Sequence, residues 1–142
     1  MKQFIVLLAV LPLMLVFLAQ FSAEQQLSAR MAAVDDAVYT AKEMAKQEGC
    51  FSKKIRDRLC SDICSRIKGL KPSDIIFGSG TDTKPVYRVG SSKGKRNEGI
   101  IHYQVSVPIW TRDPIGSFLG VKNGSGRRYY VIDSCTTSEL LP

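Results

Sequence analysis

The spacing of hydrophobic positions changes along this chain, and each change predicts an element. From Phe4 to Ala19 no side chain is charged or strongly polar, and Gln20 and Phe21 extend the run to 18 residues. As a helix that run measures about 27 Å, just enough to cross a bilayer, so residues 1–22 read as a transmembrane segment. Beyond Ser22 the helix is not interrupted. Leu27, Met31, Val34, Val38, Ala41 and Ala45 follow at spacings of 4, 3, 4, 3 and 4, an a/d seam that predicts an amphipathic helix over 23–48 running on from the apolar one.

Gly49 suits the C-cap of that helix, and Ser52 the N-cap of the next. Phe51, Ile55, Leu59, Ile63 and Ile67 recur every four residues, which predicts a second amphipathic helix over 51–68, closed by Gly69 and Pro72. Its other face carries Lys53, Lys54, Arg56, Arg58, Arg66 and Lys68. The period then becomes two. Ile101, Tyr103, Val105, Val107 and Ile109 alternate with His102, Gln104, Ser106, Pro108 and Trp110, a strand with one buried face. Val86–Val89 is expected to pair with it across the polar stretch Gly90–Gly99. A second hairpin is expected between Phe118–Lys122 and Arg127–Asp133, turning at Asn123-Gly124. The expected fold is α+β: a long helix, a second helix, then a small antiparallel sheet over about 75–135.

A secretory signal would also begin with a basic residue, Lys2, and an apolar core, but it ends in small residues at its cleavage site. Cutting after Ala23 puts Phe21 where a small residue is wanted, so the expectation is an uncleaved anchor. Pro12 inside the run is tolerated in lipid at the cost of a kink. The 93 residues after Gly49 suffice for one small core, so 23–142 forms one domain. The net charge is +7, and of 20 basic residues only Lys2 precedes the apolar run; the exposed part is therefore basic. The charge rule gives no orientation, because Lys2 is balanced only by Arg30 among Glu24, Asp35 and Asp36.

Cysteines supply that orientation instead. Cys50, Cys60, Cys64 and Cys135 are an even set in a small domain behind an export-like helix, which predicts disulfides and an extracytoplasmic location. Cys60 and Cys64, one helical turn apart, each suit a different partner: Cys135 for one and Cys50 for the other. A zinc site would need paired short spacings that C-x9-C-x3-C lacks, so no metal and no cofactor are expected.

Catalytic material is sparse. His102 is the only histidine. With Cys135 and Arg127 or Arg128 it makes one tempting constellation, since Val131–Thr137 loosely resembles the strand-borne cysteine of sortases. The domain is short for that fold, and no arginine follows Cys135. The expectation is a non-enzyme. The basic residues Lys53, Lys54, Arg56, Lys93, Lys95, Arg96, Arg127 and Arg128 are a candidate contact set for a polyanion such as DNA, anionic lipid or a wall polymer, against the plainer account of a solvated face. The seam Leu27, Met31, Val34, Val38, Ala41 and Ala45, bordered by further alanines, is a candidate assembly surface, although packing on the chain's own sheet would also account for it.

This layout resembles type IV pilin-like proteins, most closely the TadE-like pseudopilins of tight-adherence pilus systems. The resemblance is one of organisation. It runs from the apolar helix through Ser28-Ala29-Arg30-Met31-Ala32-Ala33, to the strand Gly99–Ile109 and the tail Thr137–Pro142. It implies a membrane-anchored, non-enzymatic subunit of a pilus or secretion apparatus, with other pilin-like subunits and the membrane as partners and the first helix as the assembly element. The family's processing signature, a basic leader ending in glycine and then an early glutamate, is not matched: Ile5 and its neighbours are apolar and the first acid is Glu24. A subunit held in the membrane as an assembly component is compatible with that difference.

Overall fold

The computed structural model describes residues 1–90, 99–110, 116, 119–120 and 127–142. Helix α1 spans Lys2–Glu48 without a break, Pro12 included. At its end Gly49 takes φ +76°, which a side-chain-bearing residue adopts only with strain. A Cβ there would also come within 2.7 Å of the Val86 carbonyl oxygen and of Leu140 Cδ2, so glycine is needed twice over. Helix α2 follows over Lys53–Arg66. Ser52 caps it as the sequence predicts, its Oγ accepting from the Ile55 N–H at 3.4 Å.

A single turn of 3-10 helix, Pro72–Asp74, leads to the short strand β1, Ile76–Phe77, then β2, Ile100–Ile109, and β3, Arg128–Thr137. The sheet is antiparallel with order β1-β2-β3. Ile76 opposes Ser106 and Phe77 opposes Val105. On the other side the Ser138 N–H donates to the Gly99 oxygen at 2.8 Å. Carrying that pairing along two strands of ten residues each opposes Thr136 to Ile101, both buried, and Cys135 to His102. The backbone agrees. His102 and Gln104 use their N–H and C=O groups toward Asp82, Thr81 and Gly78, on the β1 side, leaving the odd-numbered residues of β2 to pair with β3.

The chain divides into two units, Met1–Ala29 with Ile109–Arg128, and Arg30–Pro108 with Tyr129–Pro142. The second contains the core. Val34, Ala37, Val38, Ala41 and Ala45 of α1, the predicted four-residue stripe Phe51, Ile55, Leu59, Ile63 and Ile67, and Ile101, Tyr103, Val105 and Val107 of β2 are all buried. Each large aliphatic among them contributes roughly 1.5–3 kcal/mol by leaving water. Phe51, fully buried, lies with its ring centroid 5.0 Å from that of Tyr103, tying the helix junction to the sheet.

One pairing differs from expectation. Val86–Val89 is not a strand. The Val86 N–H donates to the Gly49 oxygen and that of Arg88 to the Leu140 oxygen, so the segment bridges the end of α1 to the C-terminal tail, and Ile76–Phe77 takes its place beside β2. β3 pairs with β2 itself and extends to Thr137. Of the expected second hairpin, Phe118, Val121, Lys122 and the turn Asn123–Gly126 lie outside the described residues.

Candidate functional site

The most apolar 18 residues of α1 have a mean hydropathy of 2.7, and none is buried by the rest of the chain. Phe4, Ile5, Val6 and Leu7 are each more than half exposed, and four consecutive positions, about 100° apart, point to every side of the helix. An all-round apolar helix left uncovered by the described residues has the surface of a lipid-embedded one.

The seam further along is divided. Val34, Val38, Ala41 and Ala45 are buried in the second unit and are core, so they present nothing to another molecule. Leu27 and Met31 are half-buried. Polar residues beside the seam then tie α1 to the elements over it. Asp36 accepts from Arg66, which also donates to Asp62 at 3.1 Å, and these two hydrogen bonds hold the guanidinium above its ordinary pKa. The Tyr130 hydroxyl donates to Asp35 Oδ1 at 2.9 Å, a bond that raises the tyrosine's pKa by favouring its protonated form. The Glu139 N–H donates to the Lys46 oxygen at 2.9 Å. Asp35 and Asp36 could be seen in the sequence only as charges; their partners lie 95 and 30 residues away, and no local spacing signals contacts at that range.

The basic set does not act as one group. Lys53 and Lys54 are exposed on the first turn of α2, and Arg127 and Arg128 are exposed where β3 begins. Arg56 is half-buried instead, its guanidinium 5.8 Å from the Phe77 ring centroid and its Nε buried without a hydrogen-bond partner. It packs beside Phe77 with its Nε, but not the whole side chain, out of solvent. Lys93, Lys95 and Arg96 lie outside the described residues. A groove of about 340 Å³ runs between α1 and α2, lined by Ala37, Ala41, Met44, Leu59, Asp62 and Arg66 among others. Its charged lining is Arg58, Asp62 and Arg66, of which Arg66 is engaged with Asp36 and Asp62.

The cysteines are four free thiols: Cys50 buried, Cys60 and Cys64 half-buried, Cys135 exposed. The disulfides expected from the even count are not formed. Cys60 and Cys64 lie one turn apart on α2, where regular helical geometry keeps thiols from bonding to each other, and Cys135 is on the solvent side of β3. Burial pushes the Cys50, Cys60 and Cys64 thiols up, keeping them protonated at neutral pH. Cys135 and His102 are cross-strand neighbours on the exposed face, but no hydrogen bond joins them. Among the described residues no three His, Cys, Asp or Glu side chains gather as a metal would require.

No protein-family model matches this chain, and neither a curated protein nor a solved structure is similar to it.

Proposed function

We propose that this chain is a non-enzymatic, single-pass membrane subunit, pseudopilin-like, of a pilus or secretion apparatus. In this reading the apolar half of α1 lies in the membrane among helices of other subunits, and the α+β domain lies outside the cytoplasm. The observation that carries it is the asymmetry of one helix: Val34, Ala37, Val38, Ala41 and Ala45 of α1 are buried, while none of the most apolar 18 residues of the same helix is. Half-buried Leu27 and Met31, at the passage between the two parts, are the seam residues still accessible to a neighbour. With the thiols free, the outward placement of the domain is drawn from the pseudopilin-like layout and no longer from the cysteines.

Photo-crosslinking in native membranes tests the subunit reading. A crosslinkable residue at Leu11, Phe17 or Leu27 is expected to capture a protein neighbour from at least one of the three positions. Capture of lipid alone from all three would leave an anchor but remove the subunit. The second reading is a basic module that binds a polyanion. It draws on the exposure of Lys53, Lys54, Arg127 and Arg128, none of them in an ion pair among the described residues, and it requires salt-sensitive retention on DNA.

A further inference from the structure

One stripe of α2 is chemically unlike the rest of the domain. Arg56, Cys60 and Cys64 follow one another at spacings of four, so they line up along the helix beside the buried stripe Ile55, Leu59 and Ile63. Both thiols are half-buried. Burial, and after it the charge of the other sulfur, raises the Cys60 pKa, so the two sulfurs lie within electrostatic reach of each other. The stripe faces the segment that follows α2: Arg56 lies over the Phe77 ring, and the Cys64 thiol, raised chiefly by burial, also feels Asp74.

The spacing of the sulfurs suits one kind of bridge. Residues four apart on a helix hold their Cβ atoms roughly 5–6 Å apart, whereas a disulfide needs about 3.5–4.5 Å. A metal ion in line between two sulfurs, at about 2.3 Å from each, sets them about 4.6 Å apart. Rotation of the two side chains reaches that span without moving the helix. Two soft donors also select the ion. Zinc takes four donors, and the described residues bring no third His, Cys, Asp or Glu to these two. Copper(I), monovalent and thiophilic, is satisfied by two thiolates.

Charge adds a second observation. Two thiolates on one monovalent ion carry one net negative charge. The Arg56 guanidinium acts on Cys60 in the direction that favours its thiolate, and its Nε is buried without a hydrogen-bond partner. An anionic group one turn along complements such a donor. Asp57 acts on Cys60 and Asp74 on Cys64 in the opposite sense, which helps keep both sulfurs protonated until a metal displaces the protons.

We infer that Cys60 and Cys64 bind one copper(I) ion as a pair of thiolates, with Arg56 as the counter-charge. On binding, two S–H bonds break and two S–Cu bonds form, both protons pass to water, and the copper stays monovalent. The site lies within Arg30–Pro108 and asks nothing of the apolar segment, so it stands or falls apart from the subunit reading.

The test uses the full chain in detergent micelles, kept anaerobic, and copper(I) presented as its coloured bicinchoninate complex. One copper per chain is expected to pass from the dye to the protein, with X-ray absorption showing two sulfur neighbours. In the unaltered protein, copper should shield Cys60 and Cys64 from iodoacetamide and leave Cys135 reactive, which reads the site without any substitution. Cys60→Ser and Cys64→Ser should each abolish the transfer, and Cys135→Ser should leave it unchanged. Arg56→Gln should weaken it by about tenfold, with the circular dichroism spectrum unaltered. The proposal is overturned by absence of transfer, by transfer that survives Cys60→Ser or Cys64→Ser, or by shielding of Cys135 in place of the helical pair. One copper per two chains also overturns it, since the ion would then bridge copies. So does zinc that competes evenly with copper(I), which would mean a fuller donor set than two thiols.

Discussion

Four cysteines in a chain of 142 residues carry a testable difference between count and geometry. Counting gives two disulfides; the fold sets Cys60 and Cys64 on one helix, Cys50 in the core and Cys135 exposed on β3. The prediction is that protein purified without reductant shows four titratable thiols in denaturant. Under native conditions near neutral pH, Cys135 is alkylated first because it is exposed. The other three react slowly, because burial raises their pKa and lowers the fraction of thiolate. The sign is fixed by that direction: their alkylation rates climb over a pH range displaced upward from that of an unburied thiol. Peptide mapping after timed iodoacetamide quenching reads both points. Fewer than four thiols in denaturant would restore a disulfide and with it the argument for an oxidising compartment.

Among the elements, α1 is where core and assembly surface divide. Val38 is 3% exposed, so Val38→Asp places an unpaired charge in the core, at a cost of several kcal/mol that a domain this small does not survive. Leu27→Asp changes a half-exposed position. It is predicted to leave the melting temperature of the domain within a few degrees while weakening capture of neighbours in the membrane; thermal circular dichroism alongside crosslinking yield separates the two. Comparable loss of fold in both variants would make the whole seam structural.

The same division explains what the sequence disclosed. Periodicity identified both helices, the Ser52 and Gly49 caps and the buried face of β2, because each depends on residues within a turn or two of one another. It also read the seam as one surface, since 4-3-4 spacing looks alike whether the stripe meets its own sheet or another molecule. The partner of β2 was missed for a related reason: Ile76–Phe77 is two residues long, below any detectable alternation, whereas Val86–Val89 reads as a strand and is instead drawn to Gly49 and Leu140. The place of β3 beside β2 was not legible at all, for strand order is a long-range property.

At the scale of the whole molecule, the proposed role requires that a helix of 47 residues belong at one end to lipid and at the other to a folded domain. The α+β layout is established by the fold, while the pseudopilin-like role follows only if the apolar half stays with the protein and in the bilayer. The measurement that decides this is the intact mass of the chain recovered from membranes after alkaline washing. The account predicts that the chain remains in the washed membrane and that its mass includes residues 1–22. A chain found in the soluble fraction, with a mass that begins near Glu24, would contradict it and make the apolar run a removed export signal.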